Sequence, residues 1–154
     1  MKIIHHCSAK FGRMQAKLEF LPPLLTRLVI GWVFIESGWG KLTHLDKVVE
    51  FFSSLGIPFA SAQAPFVAGV ELVAGLLVLL GLATRFASVP LIGVMIVAIV
   101  TAKRGDIEGI GSLFGFSEFL YIVLLVWLVV RGAGKASLDQ VIQNKCGCAP
   151  EKSS

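Results

Sequence analysis

The chain has 154 residues, 55% of them hydrophobic and only 16% charged, with a formal net charge of +4 and a mean hydropathy of +0.80. A soluble domain carries roughly a quarter charged residues, so this composition excludes an ordinary water-soluble protein and predicts a surface that mostly faces lipid. The basic residues form no aromatic-interleaved run and no zinc-finger spacing; this argues against a nucleic-acid partner and assigns the positive charge to loops that set membrane topology.

The first 19 residues are polar and basic, and no small-residue cleavage pattern follows the first apolar run, so a cleaved secretory signal is not expected. The first predicted spanning helix runs from about Leu24 to Gly40. It follows Pro22-Pro23 and is interrupted by Arg27 and Glu36; proline prefers a helix start. Between Lys41 and Ala64, Leu45, Val48, Val49 and Phe52 recur at helical spacing with Asp46, Lys47 and Glu50 between them. That pattern predicts a short amphipathic helix lying at the membrane interface, ended by Gly56-Ile57-Pro58.

The second span is predicted from about Phe66 to Leu82, opened by Pro65, with Glu71 its only charge. A tight turn, Gly81-Leu82-Ala83-Thr84-Arg85, makes the next span its antiparallel neighbour. That third span, about Phe86 to Ala102, has no charge and holds Pro90 in its first turns, where proline costs least. Gly105 to Gly115 contains four glycines and reads as a mobile loop or a frayed helix start. The fourth span, about Phe116 to Val130, carries only Glu118. Each segment approaches the roughly 20 apolar residues that a spanning helix needs.

The expected architecture is therefore all-α: four transmembrane helices with an interfacial helix in the first loop. Three regions follow, a basic N-terminal tail (1–21), the membrane domain (22–131) and a C-terminal tail (132–154). With four spans, both tails and the second loop share one side. Lys2, Lys10, Arg13, Lys17, Arg27, Arg85, Arg131, Lys135, Lys145 and Lys152 fall there, against Lys41, Lys47, Lys103 and Arg104 on the other. The excess places both tails in the cytoplasm and the protein in a bacterial-type inner (plasma) membrane.

The polar groups fall at defined depths. Arg27, Gly31, Phe34, Gly38 and Lys41 form one stripe on the first span, and small residues on such a stripe let a neighbouring helix approach. At ~1.5 Å rise per residue, Glu36, Glu71 and Glu118 share a depth near the outer face, close to Lys41, Lys103, Arg104 and His44. Arg27, Arg85 and Arg131 lie at the inner end. Glu36 is about half a turn off the stripe and faces a different neighbour. A carboxylate in lipid must be paired, protonated or hydrated. Glu36, Lys41, Glu71, Lys103 and Glu118 therefore read either as an ion-pair network locking the helices or as a polar pocket. Such a pocket would exchange protons or take a small ligand such as a quinone headgroup, with a carboxylate as general acid or base. Trp32, Phe34 and Trp39 read as packing or interfacial aromatics.

The tails hold a second constellation, His5-His6-Cys7 and Cys146-Gly147-Cys148. Thiolates and imidazoles suit Zn²⁺ or Cu(I), and a Cys-x-Cys pair can act as a redox dithiol. The spacing departs from Cys-x2-Cys, and two unstructured tails with ordinary thiols read at least as well.

The segment Arg27-Leu28-Val29-Ile30-Gly31-Trp32-Val33-Phe34-Ile35-Glu36-Ser37-Gly38-Trp39-Gly40-Lys41 resembles the opening motif of the DoxX family. Phe51-Phe52 with Leu55-Gly56-Ile57-Pro58 resembles that family's first loop. Glu71-Leu72-Val73-Ala74-Gly75 and Leu80-Gly81-Leu82-Ala83-Thr84-Arg85 resemble its second-helix signature. The likeness covers about Leu24 to Arg131, and Arg27, Gly31, Gly38, Lys41, Glu71, Gly75, Gly81 and Arg85 match the recurring pattern. The resemblance implies a small four-helix inner-membrane protein linked to sulfur and redox metabolism. Relatives include a subunit of a thiosulfate:quinone oxidoreductase and a member of a membrane complex for thiol and oxidative stress. It carries over no catalytic residue and does not extend to the cysteine-bearing tails.

The leading functional expectation is a membrane subunit of a quinone- or thiol-linked redox complex. Its expected partners are the bilayer, a soluble oxidoreductase subunit and further copies of itself in a homo-oligomer. No nucleotide fingerprint, haem-binding Cys-x-x-Cys-His or internal cysteine pair is present, so a quinone or a tail-bound metal would have to supply the redox centre. The rivals are a small transporter or proton-conducting protein, and a handler of metal or thiols through the tails.

Overall fold

The computed structural model describes residues 18, 20–107, 109–134 and 137–146, and all regular structure among them is helical. Helix α1 (Leu21–Thr43) starts on Leu-Pro-Pro, where the missing proline N–H would have had no helical partner anyway. Helix α2 (Leu45–Ser54) is amphipathic: Leu45, Val48, Val49 and Phe52 are half-buried while Asp46, Lys47 and Glu50 are exposed. Gly56, at φ +73, ends the chain's path from it.

Helix α3 (Ala60–Leu80) begins at Ala60 rather than near Phe66, so Pro65 lies inside the helix instead of opening it. The alanine-rich segment is a good helix former, and the Phe59 carbonyl accepts from the N–H groups of Ala62 and Gln63. Proline this close to the N-terminus removes a single intrahelical bond. Gly81 closes α3 at φ +71, and Leu82 N–H returns to Leu77 O at 2.9 Å. The left-handed glycine reverses the chain into α4 (Thr84–Ala102). The glycine-rich stretch that follows, expected as a loop or a frayed helix start, holds short helical turns, a 3-10 turn at Arg104–Asp106 and α5 (Ile110–Leu113). Helix α6 (Ser117–Arg131) ends at Gly132, φ +77. Helix α7 (Leu138–Cys146) lies in what the sequence presents as a tail.

The most extensive packing is between α1 and α3, followed by α4 against α6 and α3 against α4, with α6 also touching α1. Ile30 and Phe34 of α1, Val78 of α3, Leu91 of α4, and Leu125 and Leu128 of α6 form a fully buried core. Phe34 meets Tyr121 edge-on at 6.1 Å. The outside is as apolar as the inside: Trp32, Phe66, Val73, Phe86, Val97, Val100 and Val130 are all exposed. Apolar exteriors of this extent mark a membrane or an interface. Helices α3 and α4 are long and apolar enough to cross a membrane. Helix α1 carries Arg27, Glu36 and Lys41, and α6 has 15 residues, so these two meet that measure only in part.

Glycines set the α1–α3 approach. A Cβ at Gly38 would sit 2.6 Å from Leu72 N and 2.8 Å from Ala68 O, and one at Gly31 would sit 2.8 Å from Leu79 Cβ. Backbone atoms cannot swing aside, so Gly38→Ala must push the two helices apart. We expect a cost of about 1–3 kcal/mol, typical of overpacking, read as a lower Tm in detergent. Gly40→Ala, which meets nothing within 4 Å, is the control and should be neutral or slightly stabilising. Equal Tm values for the two variants would refute the close approach.

Candidate functional site

That close approach decides where Glu71 ends up. Gly38 lets α3 come in beside the last turns of α1, and Glu71 is carried to a position with no exposed surface. Its two carboxylate oxygens accept from Lys41 Nζ, each at 2.5 Å, and Oε2 accepts from Ser37 Oγ at 2.9 Å. Ser37 and Lys41 are four residues apart, so they share a face of α1 and converge on one partner. Lys41 is 28% exposed, so the pair has one sealed member and one reachable member. Burying the carboxylate is tolerable because an ammonium and a hydroxyl replace its hydration.

Beside this pair lies a cleft of about 510 Å³ between α2, α3 and α4, within the range of small-ligand pockets. Phe51 and Phe52 of α2, Leu55, Phe66 of α3 and Met95 of α4 supply apolar walls; Lys47, Gln63 and Thr101 add polar atoms. Both members of the pair border the cleft, but Glu71 has no accessible surface, so an entering ligand meets the Lys41 ammonium first. The other three residues expected with them stand apart. Glu36 is exposed, half a turn away from the α1 face that meets α3. Lys103 lies over the Phe116 ring at 5.7 Å. Glu118 is half-buried with Ser117 Oγ at 3.3 Å, on a helix that packs against α4 and α1. Trp32 and Trp39 point outward, and Phe34 is core.

Arg27 marks the other end of the α1–α3 contact. It is 3% exposed, and its guanidinium donates to Val78 O at 3.3 Å, Leu79 O at 3.5 Å and Ala133 O at 2.5 Å. A Cβ on Gly81 would collide with Arg27 Cζ at 2.6 Å, and one on Gly75 would press on Ile35 N and Phe34 Cβ at 3.0 Å. Arg85 lies across Gly132, its Nε 3.0 Å from where a Cβ there would stand. Nearby, Asp139 of α7 clamps the α3–α4 turn: its carboxylate accepts from Ala83 N–H at 2.9 Å, and its own N–H donates to Gly81 O at 3.1 Å.

The family model described as DoxX matches residues 23–104. The chain belongs to the DoxX family. Among curated relatives, it is 34% identical over 121 residues to "Putative oxidoreductase CatD" of Bacillus subtilis, covering 77% of this chain and 85% of that one. It is 34% identical over 142 residues to "Uncharacterized membrane protein Rv3486" of Mycobacterium tuberculosis, covering 82% and 87%. It is 26% identical over 129 residues to "Inner membrane protein YqjF" of Escherichia coli, covering 84% and 98%. No solved structure matches the chain. It is thus a membrane protein of the DoxX family, and two relatives from Escherichia coli are named as inner-membrane proteins.

Of the positions that match the DoxX pattern, Gly31, Gly38 and Gly75 sit where α1 and α3 touch, Arg27 and Gly81 interlock at one end, and Lys41 meets Glu71 near the other. The sequence reading passed over Ser37, although its four-residue spacing to Lys41 is a usable signal. It placed Phe52 on the amphipathic helix and gave Phe51 and Phe52 no part in a site, whereas both wall the cleft. His5, His6, Cys7 and Cys148 lie outside the described residues, and Cys146 falls at the end of α7. Among the described residues, no three or more His, Cys, Asp or Glu side chains gather as a metal site.

Proposed function

We propose that this DoxX protein is the membrane subunit of a redox complex. In this reading it crosses the membrane four times, through α1, α3, α4 and α6, with both termini in the cytoplasm. The cleft beside Lys41 and Glu71 receives the headgroup of a quinone or a lipophilic redox carrier of similar size. The observation that carries the reading is the Glu71–Lys41 pair, with Glu71 sealed and Lys41 reachable, at the edge of an apolar cleft. Apolar walls suit an isoprenoid-bearing ring, and a few placed polar groups orient it.

The roles of the chain's own groups follow from their chemistry. Lys41 donates a hydrogen bond to a ring oxygen. Glu71, which has no accessible surface, holds Lys41 in place, and Lys41 is the group within reach to pass a proton to that oxygen, as general acid–base work requires. Helix α2 covers the cleft and limits water. Electrons pass to or from a soluble oxidoreductase partner, since the sequence carries no nucleotide fingerprint or haem-binding motif of its own. The name of the CatD relative supports an oxidoreductase setting.

Mass spectrometry of protein purified in mild detergent tests this. Wild type should retain stoichiometric quinone, and Glu71→Gln should lose it severalfold while keeping its helix content. Absence of quinone from both proteins would reassign the pair to helix locking.

A further inference from the structure

At the end of the molecule that holds Arg27, a second cleft of about 640 Å³ opens between the start of α4, the end of α6 and α7. Arg85 and Arg131 both border it and both are exposed. The contact of Arg85 with Gly132, the residue after Arg131, brings the two arginine positions to one rim. Two like charges thus border one cleft, and among the described residues neither lies within salt-bridge distance of a carboxylate. Asp139, the carboxylate in the lining, is engaged by the Ala83 N–H. Ser137 and Gln140 add polar atoms to the α7 wall.

The surroundings say what kind of anion fits. Phe86, next to Arg85, is 82% exposed, and Val130, next to Arg131, is 68% exposed. Each cation is thus followed or preceded by an apolar side chain on the lipid-facing exterior. A free phosphate has no use for that apolar border, whereas a phospholipid places its phosphate and its acyl chains on the two sides of such a boundary. Basic pockets between helices at a membrane surface bind anionic headgroups in this way, and arginine pairs phosphate oxygens in a fork.

We propose that this cleft is a binding site for an anionic phospholipid, with Arg85 and Arg131 on the phosphodiester and Phe86 and Val130 against the acyl chains. The site rests on the membrane setting of the family and is independent of the quinone reading. By the proposed orientation it faces the cytoplasmic leaflet.

Native mass spectrometry and thermal unfolding of the full chain, with phosphatidylglycerol, phosphatidylcholine or inorganic phosphate added in turn, test the proposal. Wild type should retain phosphatidylglycerol severalfold over phosphatidylcholine and gain Tm with the former. Arg85→Gln/Arg131→Gln should lose that preference, while Arg104→Gln, an exposed arginine outside the cleft, should keep it. Should the double variant fail to fold, Arg131→Gln alone carries the test, because its side chain is exposed and holds no helix in place. Equal retention of the two lipids by wild type, or an undiminished preference in the arginine variants, would overturn the site. Stabilisation by inorganic phosphate equal to that by phosphatidylglycerol would overturn the lipid assignment and make it a soluble-anion site.

Discussion

Lys41→Met is expected to lower stability by about 3–5 kcal/mol, the usual cost of removing one partner from a buried ion pair. Glu71 has no exposed surface, and its oxygens accept from Lys41 Nζ and Ser37 Oγ. Without the ammonium, the carboxylate keeps one hydroxyl donor and must take up a proton or draw water between α1 and α3. The double variant Lys41→Met/Glu71→Met removes the charge problem together with the pair and should recover most of the loss, since a buried pair is often no more stable than apolar residues of similar volume. The two Tm values, measured in the same detergent, decide the matter. A single variant as stable as wild type would mean that Glu71 is held by something other than Lys41. The cycle also separates structure from function: a stable double variant that no longer retains quinone would show the pair to be needed for binding and dispensable for folding.

The second large effect is expected at Arg27. Its guanidinium reaches Val78 O and Leu79 O in the last turn of α3 and Ala133 O in the segment beyond α6. Carbonyls in a helix's last turn lack the usual partner four residues on; Val78 O also accepts from Gly81 N–H at 3.1 Å, and Arg27 ties this turn to Ala133, so one side chain joins two parts of the fold. Arg27→Met should cost about 2–4 kcal/mol, given about 1.5–3 kcal/mol for a hydrogen bond to a charged group and a similar cost for a buried acceptor left without one. Arg27→Lys should recover less than half, because an ammonium is a point charge on a shorter reach and cannot fork to separate carbonyls. The loss should be local as well as global. Limited trypsin digestion should cut between residues 131 and 146 faster in Arg27→Met than in wild type, as Ala133 is freed. Unchanged cleavage there, with Tm intact, would show that Ala133 is held by other contacts.

The sequence by itself determined the helical class, the membrane setting and most helix positions, because these depend on local quantities. Runs of apolar residues have a length, glycines and prolines stop helices, and a 3.6-residue period reveals a face. The amphipathic α2 and the small-residue stripe on α1 were legible for that reason. So was the choice of Lys41 over Arg27 as the cation level with Glu71, which is a matter of depth along the helix axes. The start of α3 was less so, since Pro65 reads as a boundary although alanine-rich sequence carries the helix past it.

What only the tertiary structure decided is rotation and long-range contact. Glu36, Glu71 and Glu118 lie at similar depths in the sequence, and any of them could have met Lys41. The α1–α3 contact at Gly38 turns Glu71 toward Lys41 and leaves Glu36 outside. Asp139 shows the same limit at greater distance. It sits in a segment that composition presents as a tail, and its partners, Ala83 N–H and Gly81 O, are backbone groups that no side-chain pattern records. Depth along an axis follows from residue number, but the facing of one helix toward another follows from how their surfaces interlock, and that interlocking is a property of the packed chain.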